Sequence, residues 1–229
     1  MSRLRGRAAA LVPVLLALVT VASCKGGDDG GKTAANEPDA TGTLKQAAQA
    51  MSALSSTAFT LTTDGNPQIV VKGGEMRLLK NGDADGTLQI AQSGQAVEMK
   101  IVSLGPTFYV KAVTGGWKKV PKAMAASLYD PSAVLDPNRG IPKLLTSVTD
   151  PKAEASEDVR GQKAHRVAAT LPKEALNGLI PGVNEDLKGK VWISDADHRL
   201  LRVKGNVSGG SLTIDFTEFD KPYKITAPA

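Results

Sequence analysis

The chain has one cysteine in 229 residues, Cys24, and only two histidines, His165 and His198. A single thiol forms no internal disulfide, so the fold must rest on packing alone. Zinc sites take three or four ligands, chiefly thiolate and imidazole, and two separated histidines do not supply them, so neither a metal site nor a cofactor is expected. Aromatics make up 4% of the residues. They do not interleave with the basic side chains, which are dispersed, and this argues against nucleic acid as a partner. No G-x-S-x-G elbow occurs, and no serine stands in a recognisable setting with a histidine, so no catalytic residues are expected. The one long apolar run, Ala8 to Val21, has 14 residues. A membrane-spanning helix needs roughly 20.

That run has a setting of its own. Arg3, Arg5 and Arg7 precede it, and small residues Ala22 and Ser23 close it before Cys24. This is the three-part plan of an export signal. Val21-Ala22-Ser23-Cys24 fits the bacterial lipobox, in which the cysteine thiol is joined to diacylglycerol and then becomes the first mature residue. Residues 1–23 are thus expected to be a lipoprotein signal peptide, with Cys24 as the lipidation site. Cleavage would remove three of the 28 basic residues and leave 25 against 23 acidic ones, so the mature protein is nearly neutral. The expected location is the outer, extracytoplasmic face of the cell membrane, held by the lipid on Cys24.

Residues 25–42, KGGDDGGKTAANEPDATG, hold five glycines and no large aliphatic. They read with Cys24 as a flexible tether over 24–42, whose r.m.s. reach is roughly 23 Å. From residue 43 to 229 a single domain is expected. Leu44, Ala47, Ala48, Met51 and Leu54 are spaced for a helix of about three turns, with Thr43 as its N-cap. The period then changes to two. Phe59 and Leu61, Leu88 and Ile90, and Val97, Met99 and Ile101 alternate with polar residues, as half-buried strands do. TDGNP at 63–67, KGGE at 72–75, NGDADG at 81–86, QSGQ at 92–95 and TGG at 114–116 punctuate them as turns. The proline-rich segment YDPSAVLDPNRGIPKLLTSVTDP suggests two short helices, near 131–135 and 141–148, and PKEALNGL at 172–179 a third. The aspartates of Asp83-Ala-Asp85-Gly86 and Asp195-Ala-Asp197-His198 read as turn residues, because neither motif continues into further calcium ligands. The whole is an α+β arrangement: ten or eleven strands in one curved antiparallel sheet, with the helices gathered on one face. The aliphatics of the first strands either pack as an ordinary core or line a cavity.

Three stretches are similar to one family, the LppX/LprG lipoproteins of actinobacteria. LKQAAQAMSALSSTAFTLTTDGNP resembles its opening helix, first strand and Asp-Gly turn. YDPSAVLDPNRGIPKLL resembles its Tyr-Asp-Pro-Ser insertion followed by Leu-Asp-Pro and a glycine, and VWISDADHRLLRV its late hairpin. The resemblance, from about Leu44 to Pro228, implies a half-barrel sheet with helices over the concave face. Between them it implies an apolar cavity for acyl chains, as in lipoprotein-carrier folds. The cargo implied is an acylated glycolipid or phospholipid, and a membrane transporter is a candidate further partner. The expected lining is Leu61, Ile69, Val71, Leu88, Ile90, Val97, Met99, Ile101, Phe108 and Val110 from the sheet. Leu144, Leu145, Leu176, Leu179 and Ile180 are expected above it. The alternative is a structural or signalling envelope lipoprotein that binds a protein partner and carries no lipid.

Overall fold

The computed structural model of the protein describes residues 39–229, apart from 93, 127–128, 178 and 181–182. The expected signal peptide, Cys24 and the expected tether up to residue 38 lie outside the described residues.

Helix α1 spans Ala40–Ala53 and buries Leu44, Ala47, Ala48 and Met51, the face their spacing marks out. It begins four residues before the expected point. Asp39, not Thr43, is the N-cap, its Oδ1 accepting from the Thr41 backbone N–H at 3.1 Å. Aspartate caps at least as well as threonine, so residues 40–43 join the helix at the cost of one glycine.

Eleven strands follow: β1 (Ser56–Gly65), β2 (Val71–Leu79), β3 (Ala84–Gln92), β4 (Gln95–Leu104), β5 (Thr107–Ala112), β6 (Lys118–Pro121), β7 (Thr149–Val159), β8 (Gln162–Leu171), β9 (Leu187–Ser194), β10 (Leu200–Val207) and β11 (Gly210–Phe219). They form one open antiparallel sheet in the order β6-β5-β4-β3-β2-β1-β11-β10-β9-β8-β7. Two meanders, β1–β6 and β7–β11, are therefore joined where the first strand pairs with the last, Thr57 opposite Phe219 and Gly65 opposite Gly210. Helices α2 (Lys122–Ala125), α3 (Pro131–Val134) and α4 (Ile141–Ser147) lie in the β6–β7 connection, and α5 (Lys173–Leu176) between β8 and β9. The proline-rich insertion is thus helical as expected, and α2 is an addition to it.

The turn signals do not all read the same way in three dimensions. KGGE is not a turn: Gly73 and Gly74 lie inside β2, opposite Gln89 and Leu88 of β3. A Cβ on Gly74, whose φ is +148°, would stand 2.3 Å from the Thr87 carbonyl oxygen, and one on Gly86 2.2 Å from that of Glu75. Glycines let the two backbones close on each other, and this is how a strand bends without ending. β7 starts inside the proline-rich segment, at Thr149, and runs through Pro151. It can do so because it is an edge strand, with no neighbour for the missing N–H on its outer side.

One continuous core lines the inner face of the sheet. Over the second meander α1 fills it, packing on α4 and against β7 and β9. The opposite face carries two small clusters. One gathers Val159, Ala164, Trp192 and Leu201, and in the other the C-terminal Ile225 covers Val102 and Tyr109.

Asp220 ties the junction together. Its Oδ1 accepts from the Ser55 backbone N–H (2.9 Å) and hydroxyl (3.0 Å), and its Oδ2 from Arg199 Nη2 at 2.6 Å. Those bonds, the Ser55 N–H foremost, hold its carboxyl below the usual range. Asp220→Ala is expected to cost about 1–3 kcal/mol at neutral pH, read from urea unfolding midpoints. A carboxyl whose folded pKa is depressed contributes above its unfolded pKa, near 4, and loses the contribution as pH falls through the folded value. The gap between wild type and variant should therefore narrow in acid, below about pH 4.

Candidate functional site

Between the first meander and the helices the core opens into a cavity of about 640 Å³. That is within the roughly 300–1,000 Å³ of small-molecule sites. Alternation along the strands supplies its floor: Phe59 and Leu61 from β1, Val71 and Met76 from β2, Leu88 and Ile90 from β3, Met99 and Ile101 from β4, Phe108 and Val110 from β5 and Val120 from β6. Ile214 and Phe216 of β11 and Val203 of β10 continue it. Met124, Ala125, Tyr129, Val134, Ile141, Leu144, Leu176, Leu179 and Ile180 form the roof, with Val70 at the strand end. None of these side chains is charged, and the only oxygen among them is the Tyr129 hydroxyl. Val70 and Met124 are 47% and 67% exposed, so the wall reaches the surface at both.

The roof is held in place locally. Asp130 caps α3, its Oδ1 accepting from the Ser132 N–H (3.0 Å) and hydroxyl (2.6 Å), with Pro131 in the first turn. Burial pushes the Asp130 carboxyl up, but the Ser132 bonds and Arg139 outweigh it and hold it below the usual range. Gly140 opens α4, and a Cβ there would meet the Ala133 carbonyl oxygen at 2.1 Å. The glycine after Leu-Asp-Pro is what lets α3 and α4 turn this tightly.

Of the fifteen residues expected to line a cavity, the structure sets twelve on its wall. Ile69, Val97 and Leu145 are elsewhere. Ile69 is buried in the core ahead of β2, and Leu145 faces the packed core, one helical position away from Leu144 on the wall. Val97 is half-buried toward the open end of β4. The residues not anticipated are spread over β1, β2, β6, β10, β11, α2, α3 and α4, with Val70 and Tyr129 from the connecting segments. Phe59 shares the inner parity of Leu61, and that parity was the available signal; Met76 stands opposite Phe59 but at the reverse parity to Val71, because the register of β2 shifts between Val71 and Gly73.

The outer face has a groove of about 750 Å³ beside Lys152, Arg166, Lys188, Lys190 and Lys204, with Asp150 the only acid on its wall. Register lines up Lys152, Ala168, Lys190 and Lys204 in one row across β7, β8, β9 and β10. Arg166 pairs with Glu154 and Glu157, and Lys190 with Glu154.

One arrangement escaped the sequence. Ser156 Oγ lies 2.8 Å from His165 Nδ1, and His165 Nε2 3.3 Å from Asp195 Oδ1. Ser156 and His165 are opposite one another on β7 and β8, a register invisible in the sequence. The nitrogens are used in the reverse sense to a Ser-His-Asp triad, where the acid binds Nδ1 and the serine Nε2. Ser156 is exposed, and neither cavity nor groove includes any of the three. We read it as a surface hydrogen-bond chain. Among the described residues no group of three or more His, Cys, Asp or Glu is placed for a metal. The two aspartate motifs are engaged in turns and pairs: Asp83 accepts from the Gly105 N–H at 2.8 Å, Asp85 pairs with Arg77, and Asp197 lies 3.4 Å from Arg199.

An open antiparallel sheet holding an uncharged cavity under a helical cap defines a class, the capped open-sheet fold of bacterial lipoproteins. Two solved structures share it: LprF from Mycobacterium bovis, with a TM-score of 0.76 at 21% identity over 84% of this chain and 98% of that one. The other, lipoprotein LppX from Mycobacterium tuberculosis, has a TM-score of 0.62 at 20% identity over 83% and 100%. The chain belongs to the LppX_LprAFG lipoprotein family, which it matches over residues 39–225. It is also similar to the lipoarabinomannan carrier protein LprG of Mycobacterium leprae, 26% identical over 96% of this chain and 94% of that protein. LprG of Mycobacteroides abscessus is 29% identical over 96% of each. Among the described residues no helix is long and apolar enough to cross a membrane.

Proposed function

We propose that the protein is a membrane-anchored carrier that takes the acyl chains of a glycolipid or phospholipid into its cavity for transfer. The observation that carries this reading is a 640 Å³ space walled without a single charged side chain. The name of its LprG relatives, lipoarabinomannan carriers, supports it. Exposing a methylene to water costs about 0.8 kcal/mol, so a chain of some fifteen costs roughly 12 kcal/mol to draw through it. A lipid with two or three chains stays in its leaflet unless a protein covers the path. Lipidated Cys24 would keep the carrier on the outer face of the membrane, where it meets both its cargo and any transporter that delivers it.

The test is native mass spectrometry of the protein made in an actinobacterial host, followed by organic extraction. Lipid adducts that release an acylated species support the carrier reading, and their masses name the cargo. An unadducted mass that persists after exposure to host lipid extract overturns it. The basic outer groove favours a second reading, an envelope lipoprotein that binds an acidic partner there. Lys152→Glu with Lys204→Glu would then abolish a crosslink to that partner without changing the lipid load.

A further inference from the structure

Tyr129 is out of place on the cavity wall. Its ring lines the cavity, yet its hydroxyl is, among the described residues, the buried side-chain polar atom without a hydrogen-bond partner. The other three residues of Tyr129-Asp130-Pro131-Ser132 have visible work. Asp130 caps α3, Pro131 fits its first turn, and Ser132 bonds to Asp130 and packs over Gly82. Phenylalanine would fill the same wall without burying an unsatisfied hydroxyl, which costs stability. A hydroxyl kept at that cost has a use that arrives with a ligand.

We propose that Tyr129 is the ester-recognition residue of the cavity, its hydroxyl donating a hydrogen bond to an acyl ester carbonyl of the bound lipid. This deepens the carrier reading and rests on it. The oxygen is sealed from water in this structure, so the side chain must turn into the space its ring already borders. Its position suits an ester. The Tyr129 N–H donates to the carbonyl of Ala125, the residue after Met124, so the Tyr129 backbone is tied beside the stretch where the wall reaches the surface. Ester groups join headgroup to chain, so they come to rest near an opening while the methylenes fill the interior. The wall carries no cationic side chain to pair with an anion, so a neutral ester is accepted and an ionised fatty acid is not. Burial, and Asp130 after it, push the Tyr129 phenol above its ordinary range, and the hydroxyl remains a donor throughout the physiological range.

The experiment offers the purified chain equal amounts of dipalmitoyl phosphatidylcholine and its dihexadecyl ether analogue, which lacks the two carbonyls. The bound ratio is read by mass after extraction. Wild type is expected to favour the ester roughly five- to tenfold, the worth of one hydrogen bond. Tyr129→Phe should bring the ratio to about one by lowering ester uptake while ether uptake holds, and the unloaded variant should melt no lower than wild type. Equal uptake of the two lipids by wild type overturns the ester assignment and leaves the carrier reading standing. So does a preference that survives in Tyr129→Phe, or an equal loss of both lipids in it. No uptake of either lipid by wild type overturns the carrier reading itself.

Discussion

Tryptophan at both Leu88 and Met99 is expected to strip the purified protein of its lipid. The two residues are direct partners on β3 and β4, and both face the cavity. Two indoles side by side would occupy the floor on which acyl chains are proposed to lie. Packing extra volume into a filled core costs about 1–3 kcal/mol, but here the added atoms enter existing space and the variant should fold. Val97→Trp supplies the control. Val97 lies two residues from Met99 on the same strand and face, yet off the cavity wall, so the single variant should keep its lipid. The readout is the amount of extractable lipid per folded molecule, with circular dichroism to establish the fold. Full loading of the double variant would place the cargo elsewhere. Emptying by Val97→Trp would extend the binding space to the end of the sheet.

The reason Val97 and Met99 part company shows what was legible in the sequence. Periodicity of two identified which face of β4 turns inward, and both residues obey it. Where along the strand the roof ends is set by α2 to α4, which arrive from beyond β6, and by α5 from the second meander, and no local pattern records that. The same limit applies to β10 and β11. Their inward residues Val203, Ile214 and Phe216 alternate as clearly as those of β1, but they reach the cavity only because the last strand pairs with the first. That pairing joins residues about 160 positions apart, and no turn or spacing between them announces it. The expected count of ten or eleven strands was sound, since hairpin turns are local events. Arg160 and Gly161, both at positive φ, join β7 to β8 in the two-residue hairpin that such residues favour. Glycine was read correctly where it ends a strand and wrongly where it bends one, because the two uses differ only in what lies opposite.

The helical cap separates carriage from folding within two adjacent residues. Leu144 and Leu145 lie about 100° apart around α4. Leu144 borders the cavity, and Leu145 is 1% exposed within the packed core. Truncating a core leucine removes its transfer free energy and leaves a void that closes only in part. Leu145→Ala is therefore expected to cost about 2–5 kcal/mol. For a domain of this size each kcal/mol lowers Tm by about 2–4 °C. Leu144→Ala enlarges a space that already exists and should cost less, because no new enclosed void forms. The effects on cargo should run the other way. At a temperature where both variants remain folded, Leu145→Ala should hold as much lipid per folded molecule as wild type, while Leu144→Ala should change both the amount and the chain-length distribution. Urea midpoints measured beside extracted lipid decide the matter. If Leu145→Ala alone lost its cargo, the cavity would have to reach through α4 to the core around α1. If the two variants were equally unstable, the space beside Leu144 would be closed whenever lipid is absent.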